Sequence, residues 1–122
     1  MGVNVSIEIE GIEEFKAAMA KLDSGMQRHV FRQLVNWAED VKALAKRYVP
    51  VRTGYLRSTI FAVVSGWVAR IGAEATYAMY VEFGTRYMRA QPYLYPAIRT
   101  YLRSLEAIIS EGIEAAKQEA GL

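Results

Sequence analysis

The chain contains no cysteine. That excludes disulfide staples, thiolate zinc sites and cysteine nucleophiles. It has a single histidine, His29, and one imidazole without cysteine partners does not build the usual zinc site. The only aspartates, Asp23 and Asp40, lie on or beside the same segment as His29. No Gly-x-Ser-x-Gly elbow is present, so a Ser-His-Asp arrangement has no frame. His29 reads as a histidine on a helix surface. Gly72 and Gly84 stand alone, so there is no glycine-rich phosphate loop. The adjacent acids read as solvated faces (Glu8 and Glu10, Glu39 and Asp40) or as partners of a helix N-terminus (Glu13 and Glu14). No apolar run approaches the roughly 20 residues that span a bilayer. The first residues, Met1 to Ser6, lack a basic region followed by an apolar stretch, so synthesis in the cytosol is expected. Together these absences argue against an enzyme and against any cofactor or metal.

Acid is also scarce in the middle of the chain. Residues 46–103 carry nine basic side chains, seven of them between Arg52 and Arg103 and all arginine, against only Glu74 and Glu82. Residues 1–45 carry five bases and seven acids, and residues 104–122 carry Lys117 against four glutamates. The net charge of +2 therefore hides a strongly basic centre between acidic ends. Such asymmetry suits nucleic acid or an acidic partner. It equally suits head-to-tail contact between copies of the chain, a basic face meeting an acidic one. Arginine favours planar, bidentate contacts over simple solvation.

A length of 122 residues allows one domain with one core. Val3, Val5, Ile7 and Ile9 alternate with polar residues, the period of a half-buried strand, and Gly11 ends it. Ile12, Phe15, Met19 and Leu22 recur at helical spacing and predict a short helix over 12–22. Asp23-Ser24-Gly25 closes it and offers a cap for the next. From Met26 to Tyr48, Val30, Leu34, Trp37, Val41 and Ala45 form one face of a long helix, which Pro50 stops. Leu56–Val64 is rich in β-branched and aromatic residues and predicts a strand. Ser65-Gly66 predicts a hairpin turn, and Trp67–Ile71 the return strand. Met79–Phe83 fits either a strand or a helical turn. Pro92–Ala120 predicts a C-terminal helix with Leu94, Ile98, Leu102, Leu105 and Ile109 on its apolar face, weakened at its end by Gly112. The expected fold is α+β: a small antiparallel sheet packed on a long helix, with a second long helix at the C-terminus. Leu34, Trp37, Val41 and Leu102 are the expected core.

The most informative stretch runs from Tyr77 to Ala97. It packs five tyrosines, two arginines and one glutamate, Glu82, between the fixed points Gly84, Pro92 and Pro96. Tyrosine and arginine anchor protein interfaces, so the stretch reads as a shaped contact surface. Glu82 has two readings. One is an ion pair with Arg86 or Arg89 that holds the loop after Gly84; the other is a contact to a neighbouring subunit's arginine. The first is preferred, because local arginines need no partner. Arg52-Thr53-Gly54 admits a phosphate contact, but a turn feeding the next element explains it more simply. The tyrosines are of a type that stacks on unpaired bases, yet such residues more often fill cores and interfaces.

Three blocks in order carry a resemblance. They are Val49-Pro50-Val51-Arg52-Thr53-Gly54-Tyr55-Leu56-Arg57-Ser58-Thr59-Ile60, then Tyr77-Ala78-Met79-Tyr80-Val81-Glu82-Phe83-Gly84-Thr85, then Met88 to Ala97 with its Ala-Gln-Pro-Tyr-Leu-Tyr-Pro-Ala run. The chain resembles the HK97 gp10-like phage proteins, neck or tail-completion components of long-tailed phages. Thr59 stands where a serine is common in that family, and Tyr93 where a phenylalanine is common. The resemblance implies a structural virion protein of the head–tail junction. Copies would form a ring around the DNA channel and join the other connector and tail proteins, assembling in the host cytoplasm. DNA would pass without sequence recognition, and no membrane would be involved. The expected contact residues are Arg52, Thr53, Gly54 and Arg57 in the first loop. In the second segment they are Tyr77, Tyr80, Glu82, Phe83, Gly84, Thr85, Arg86, Met88, Arg89, Pro92, Tyr93, Leu94 and Pro96. The alternative is a basic, non-enzymatic nucleic-acid-binding module, separable by its steeper loss of binding as salt rises.

Overall fold

In a computed structural model of the chain, residues 3–6, 12–52 and 54–119 are described. Strand β1 (Val3–Ser6) is followed by helices α1 (Ile12–Lys21) and α2 (Ser24–Tyr48). The short helix α3 (Tyr55–Ser58) leads into the hairpin of β2 (Ile60–Ser65) and β3 (Val68–Ala73). Helices α4 (Ala78–Phe83), α5 (Leu94–Thr100) and α6 (Leu102–Glu119) complete the order. The three strands form an antiparallel sheet in the order β1-β3-β2, with Val3 opposite Ala73 and Ile60 opposite Ala73 on its other side. The architecture is α+β, as the sequence predicts. Ile7 and Ile9 of the expected first strand lie outside the described residues.

Helix α2 is the frame. Its 25 residues span about 37 Å at 1.5 Å per residue. Asp23 caps it by accepting the Met26 N–H at 2.8 Å, which satisfies one of the orphan donors of the first turn. The Gln27 amide turns back and donates to the carbonyls of Met19 and Leu22, closing the end of α1. Val30, Leu34, Trp37, Ala38, Val41 and Ala45 are buried along one face of α2, against the sheet and against α5 and α6. The indole N–H of Trp37 donates to the Tyr101 carbonyl at 2.7 Å, pinning the joint between α5 and α6 to mid-α2.

Five expectations need correction. The stretch expected as a strand from Leu56 opens instead with α3. Gly54 enters it at φ +83°, the Ser58 hydroxyl donates to the Tyr55 carbonyl, and the Thr59 hydroxyl donates to the Leu56 carbonyl. These short side chains close a helical turn that propensity alone reads as extended. The hairpin turn falls at Gly66 and Trp67, one residue later than expected. Both residues have positive φ, +57° and +66°, as a two-residue turn matched to strand twist requires. An L residue with such a φ costs about 1–2 kcal/mol. The Trp67 ring meets Phe15 and Phe31 edge-on, at 5.9 and 5.8 Å. Each such pair is worth about 0.5–1.5 kcal/mol, enough to offset the strain.

The expected single C-terminal helix is two. Pro92 lies before α5, and Tyr101 interrupts the run. Leu102, expected in the core, is exposed, and Leu105 is the buried residue at the start of α6. The buried positions Leu94, Ile98, Leu105, Gly112 and Ala116 keep three- and four-residue spacing across Tyr101, and Leu102 lies beside that face. Gly112, read as a weak point, is buried where α6 crosses α1: a Cβ there would stand 2.9 Å from the Met19 methyl and 3.2 Å from the Phe15 ring. The undecided Met79–Phe83 stretch is helical, as α4.

A candidate interaction surface

The segment from α4 to α5 is built around one buried acid. Glu82 is 2 % exposed. Its Oε1 accepts the backbone N–H groups of Tyr93 (3.1 Å) and Leu94 (2.8 Å), and its Oε2 accepts that of Tyr95 (3.3 Å). The next residue, Pro96, has no N–H. Every orphan donor in the opening turn of α5 is therefore either taken by one carboxylate or missing by sequence. The expected ion pair with Arg86 or Arg89 is not formed; among the described residues the ion pair is Lys42 with Glu39. A helix N-terminus satisfies a carboxylate without burying a second charge, and this geometry takes the carboxylate inward, away from any partner's arginine.

Tyr93 is fully buried beside Glu82, and its hydroxyl donates to the Ala78 carbonyl at 3.1 Å. Burial, then the Glu82 charge, then Tyr77, push the Tyr93 phenol well above the usual tyrosine range. Glu82, Tyr93 and Leu94, expected as contacts, are thus all buried in the chain and hold the surface from beneath.

Between α4 and α5 the chain makes a closed loop. Gly84 sits at φ +78° and ψ 175°, a region that is essentially glycine-only. A Cβ there would lie 2.7 Å from the Ala90 nitrogen and 2.9 Å from the Met88 carbonyl. The Thr85 N–H donates to the Met88 carbonyl at 2.8 Å, and the Gln91 N–H to the Val81 carbonyl at 2.8 Å. The Thr85 hydroxyl accepts the Tyr87 N–H. Arg86 and Tyr87 are thereby presented at the tip, with Tyr87 89 % exposed.

The loop after α2 comes to meet this one. Together they form a cleft of about 600 Å³ lined by Pro50, Arg52, Gly54, Leu56, Tyr77, Tyr80, Val81, Thr85, Met88 and Gln91. Six of the expected contact residues line it: Arg52, Gly54, Tyr77, Tyr80, Thr85 and Met88. Arg57, Phe83, Arg86, Arg89 and Pro92 are exposed outside the lining, and Gly84 and Pro96 are half-buried. Thr53 lies outside the described residues. The sequence reading passed over Pro50, Leu56, Val81 and Gln91 as site residues, although the first two stand in the same block as Arg52. It also passed over Tyr55, whose ring lies 6.4 Å from that of Tyr77.

Among the described residues, eleven of the thirteen exposed large apolar side chains fall between Tyr48 and Tyr95. Scattered exposed apolar residues are ordinary, whereas a contiguous exposed patch is a candidate for contact. No cluster of His, Cys, Asp or Glu suited to a metal occurs among the described residues. No helix there is long and apolar enough to cross a membrane.

Fold and cleft together define a class: a small α+β scaffold with exposed tyrosines and arginines in and beside one cleft. The family described as "Bacteriophage HK97-gp10, putative tail-component" matches residues 13–84, more than half of the chain, and the chain belongs to that HK97-gp10-like family. It is a phage tail-associated structural protein. Neither a curated protein nor a solved structure matches it.

Proposed function

We propose that this single-domain protein acts at the head–tail junction of a tailed phage or prophage, as a neck or tail-completion component. Its copies form a ring around the DNA channel and join connector proteins to the tail. Its work is mechanical and not catalytic. The observation that carries this reading is the cleft face. Two loops distant in sequence are locked side by side, by Glu82 under one and Gly54 at the other, and expose tyrosine and arginine together. Those residue types dominate interface energetics, and a face held rigid before contact loses less entropy on binding.

The test is complementation of a phage lacking this protein. Tyr80→Ser combined with Arg86→Ser alters only exposed side chains. The chain should fold normally, with an unchanged melting temperature, and yet lower the yield of tailed particles at least tenfold. Full particle yield from a well-folded double variant would contradict the proposal.

The exposed arginines also support the second reading, a nucleic-acid-binding module. Phosphate-driven binding weakens by orders of magnitude between low and moderate salt. An interface anchored by apolar contacts changes far less, so the salt slope of binding separates the two.

A further inference from the structure

Strand β2 stands at one edge of the sheet, beside β3. Its register runs without a slip from Ile60 opposite Ala73 to Ser65 opposite Val68, and just before it the Thr59 carbonyl accepts the Glu74 N–H at 3.3 Å. Hydrogen-bonded pairs alternate along an antiparallel ladder. Phe61, Val63 and Ser65 therefore bond to β3, and the N–H and C=O groups of Ile60, Ala62 and Val64 point outward. Among the described residues no hydrogen bond reaches those outward groups. Natural edge strands are blunted by charge, proline, a bulge or a covering element. The run Ile-Phe-Ala-Val-Val-Ser has neither charge nor proline, and its ladder has no bulge. Buried Ile60 marks the core face of the strand; on the other face Phe61 is half-buried and Val63 is 49 % exposed.

We propose that β2 of one copy pairs antiparallel with β2 of a second copy, about a two-fold axis at Ala62. In that register Ile60 stands opposite Val64 of the second copy and Ala62 opposite its counterpart, so every outward N–H and C=O finds a partner. Centring the axis on Phe61 or Val63 would leave Val64 or Ile60 opposite a residue outside the strand. The same register sets Phe61 against Val63 of the second copy, once on each side of the axis. That is an aromatic–β-branched pair at the closer, non-hydrogen-bonded spacing, and it covers the exposed Val63. An uncharged strand meets its own copy without setting like charges together, which the arginines beside the cleft could not do. Both core faces stay on one side, and the two sheets become one. The contact is isologous and closes on itself, so it ends at two copies. It uses none of the cleft residues and stands apart from the ring reading.

The test starts from the Tyr80→Ser, Arg86→Ser protein, whose cleft face is impaired and whose β2 is intact. By light scattering at rising concentration, it should pass from the 13.7 kDa of one chain to twice that mass and stop. Adding Ala62→Pro removes an N–H that the fold leaves unbonded, a change that edge strands tolerate, and should hold the mass at one chain. Val63→Glu is a second block: the position is exposed, Arg70 lies opposite it in the same sheet, and the carboxylate would face the Phe61 ring of the second copy. Circular dichroism verifies folding of each variant. Because the chain has no cysteine, Phe61→Cys mixed with Val63→Cys should form the mixed disulfide in preference to either homodimer. A mass that stays at one chain would overturn the pairing, as would doubling that survives both blocks, or a homodimer disulfide favoured over the mixed one. Loss of particles on Ala62→Pro without any doubling of the free protein would also overturn it, and would assign the edge to a strand of another protein. None of these results bears on the cleft, so the ring reading stands or falls by the complementation test alone.

Discussion

Glu82 illustrates what a single side chain can hold in place. It is buried, and it escapes the usual cost of an unpaired buried charge because three backbone N–H groups point at it. Removing one partner from a buried polar set leaves the others unsatisfied, at about 1–3 kcal/mol for each group. Glu82→Ala should therefore lower unfolding stability by at least about 3 kcal/mol, read as a fall in the urea midpoint at unchanged slope. Glu82→Gln keeps one acceptor and turns an amide N–H toward Tyr95, so it should cost less than Glu82→Ala. Equal midpoints for the two variants and the parent would refute the capping role. Gly84 belongs to the same argument. Gly84→Ala meets both the φ penalty and the backbone of Ala90, for a loss of about 1–3 kcal/mol; a neutral result would mean that the loop does not close as described.

Tyr93 adds a pH dependence at this scale. Its folded pKa is raised, mainly by burial, while the unfolded phenol titrates near about 10. The unfolded state then releases its proton first as pH rises. The stabilising contribution of Tyr93 is complete below about pH 10 and declines above it, towards the folded pKa. Tyr93→Phe should flatten the fall in stability above about pH 10, measured by denaturation at a series of alkaline pH values. An identical alkaline slope in both proteins would contradict the burial of that phenol.

At the scale of elements, the long periodic segments are legible in the sequence and the short ones are not. Helix α2 carries a stripe over 25 residues and a capping Asp23, and both are visible in the residues themselves. Helix α3 has only four residues, too few for a period, and the hydroxyl–carbonyl bonds of Ser58 and Thr59 decide it. At the break the Tyr101 carbonyl accepts the Trp37 indole N–H, 64 positions away, a contact that no local pattern reveals. The role of Gly112 likewise depends on a neighbour, since α1 approaches α6 through it. Replacing Gly112 by alanine sets a helix-propensity gain of about 1 kcal/mol against a contact with the movable end of Met19, so stability should change little. Gly112→Leu has no such room and should destabilise by about 1–3 kcal/mol in thermal or urea unfolding. A leucine variant as stable as the parent would show that α1 and α6 do not meet there.

For the whole molecule, the family was legible from three sequence blocks, and the family match over residues 13–84 agrees. The joining of the Arg52 loop to the Tyr77–Gln91 segment in one cleft was not legible as geometry, because nothing in the spacing says that two loops more than twenty residues apart face each other. Nor did the sequence separate the residues that present the surface from those that support it. Glu82, Tyr93 and Leu94 look like Tyr80 and Arg86 in composition, and burial alone distinguishes them. The exposed ring of Tyr87 marks the face most clearly, since it is held outward by a loop whose backbone is bonded on both sides of the tip.

The central claim is that this face contacts other tail subunits. The most direct measurement places a photo-crosslinking residue at Tyr87 and, as a control, at His29 on the exposed side of α2, in protein supplied to assembling phage. Crosslinks in purified particles from position 87 to another copy or to a neighbouring tail protein, with few or none from position 29, are the predicted result. Particles that incorporate the protein but give no crosslink from position 87, or give it only from position 29, would contradict the account.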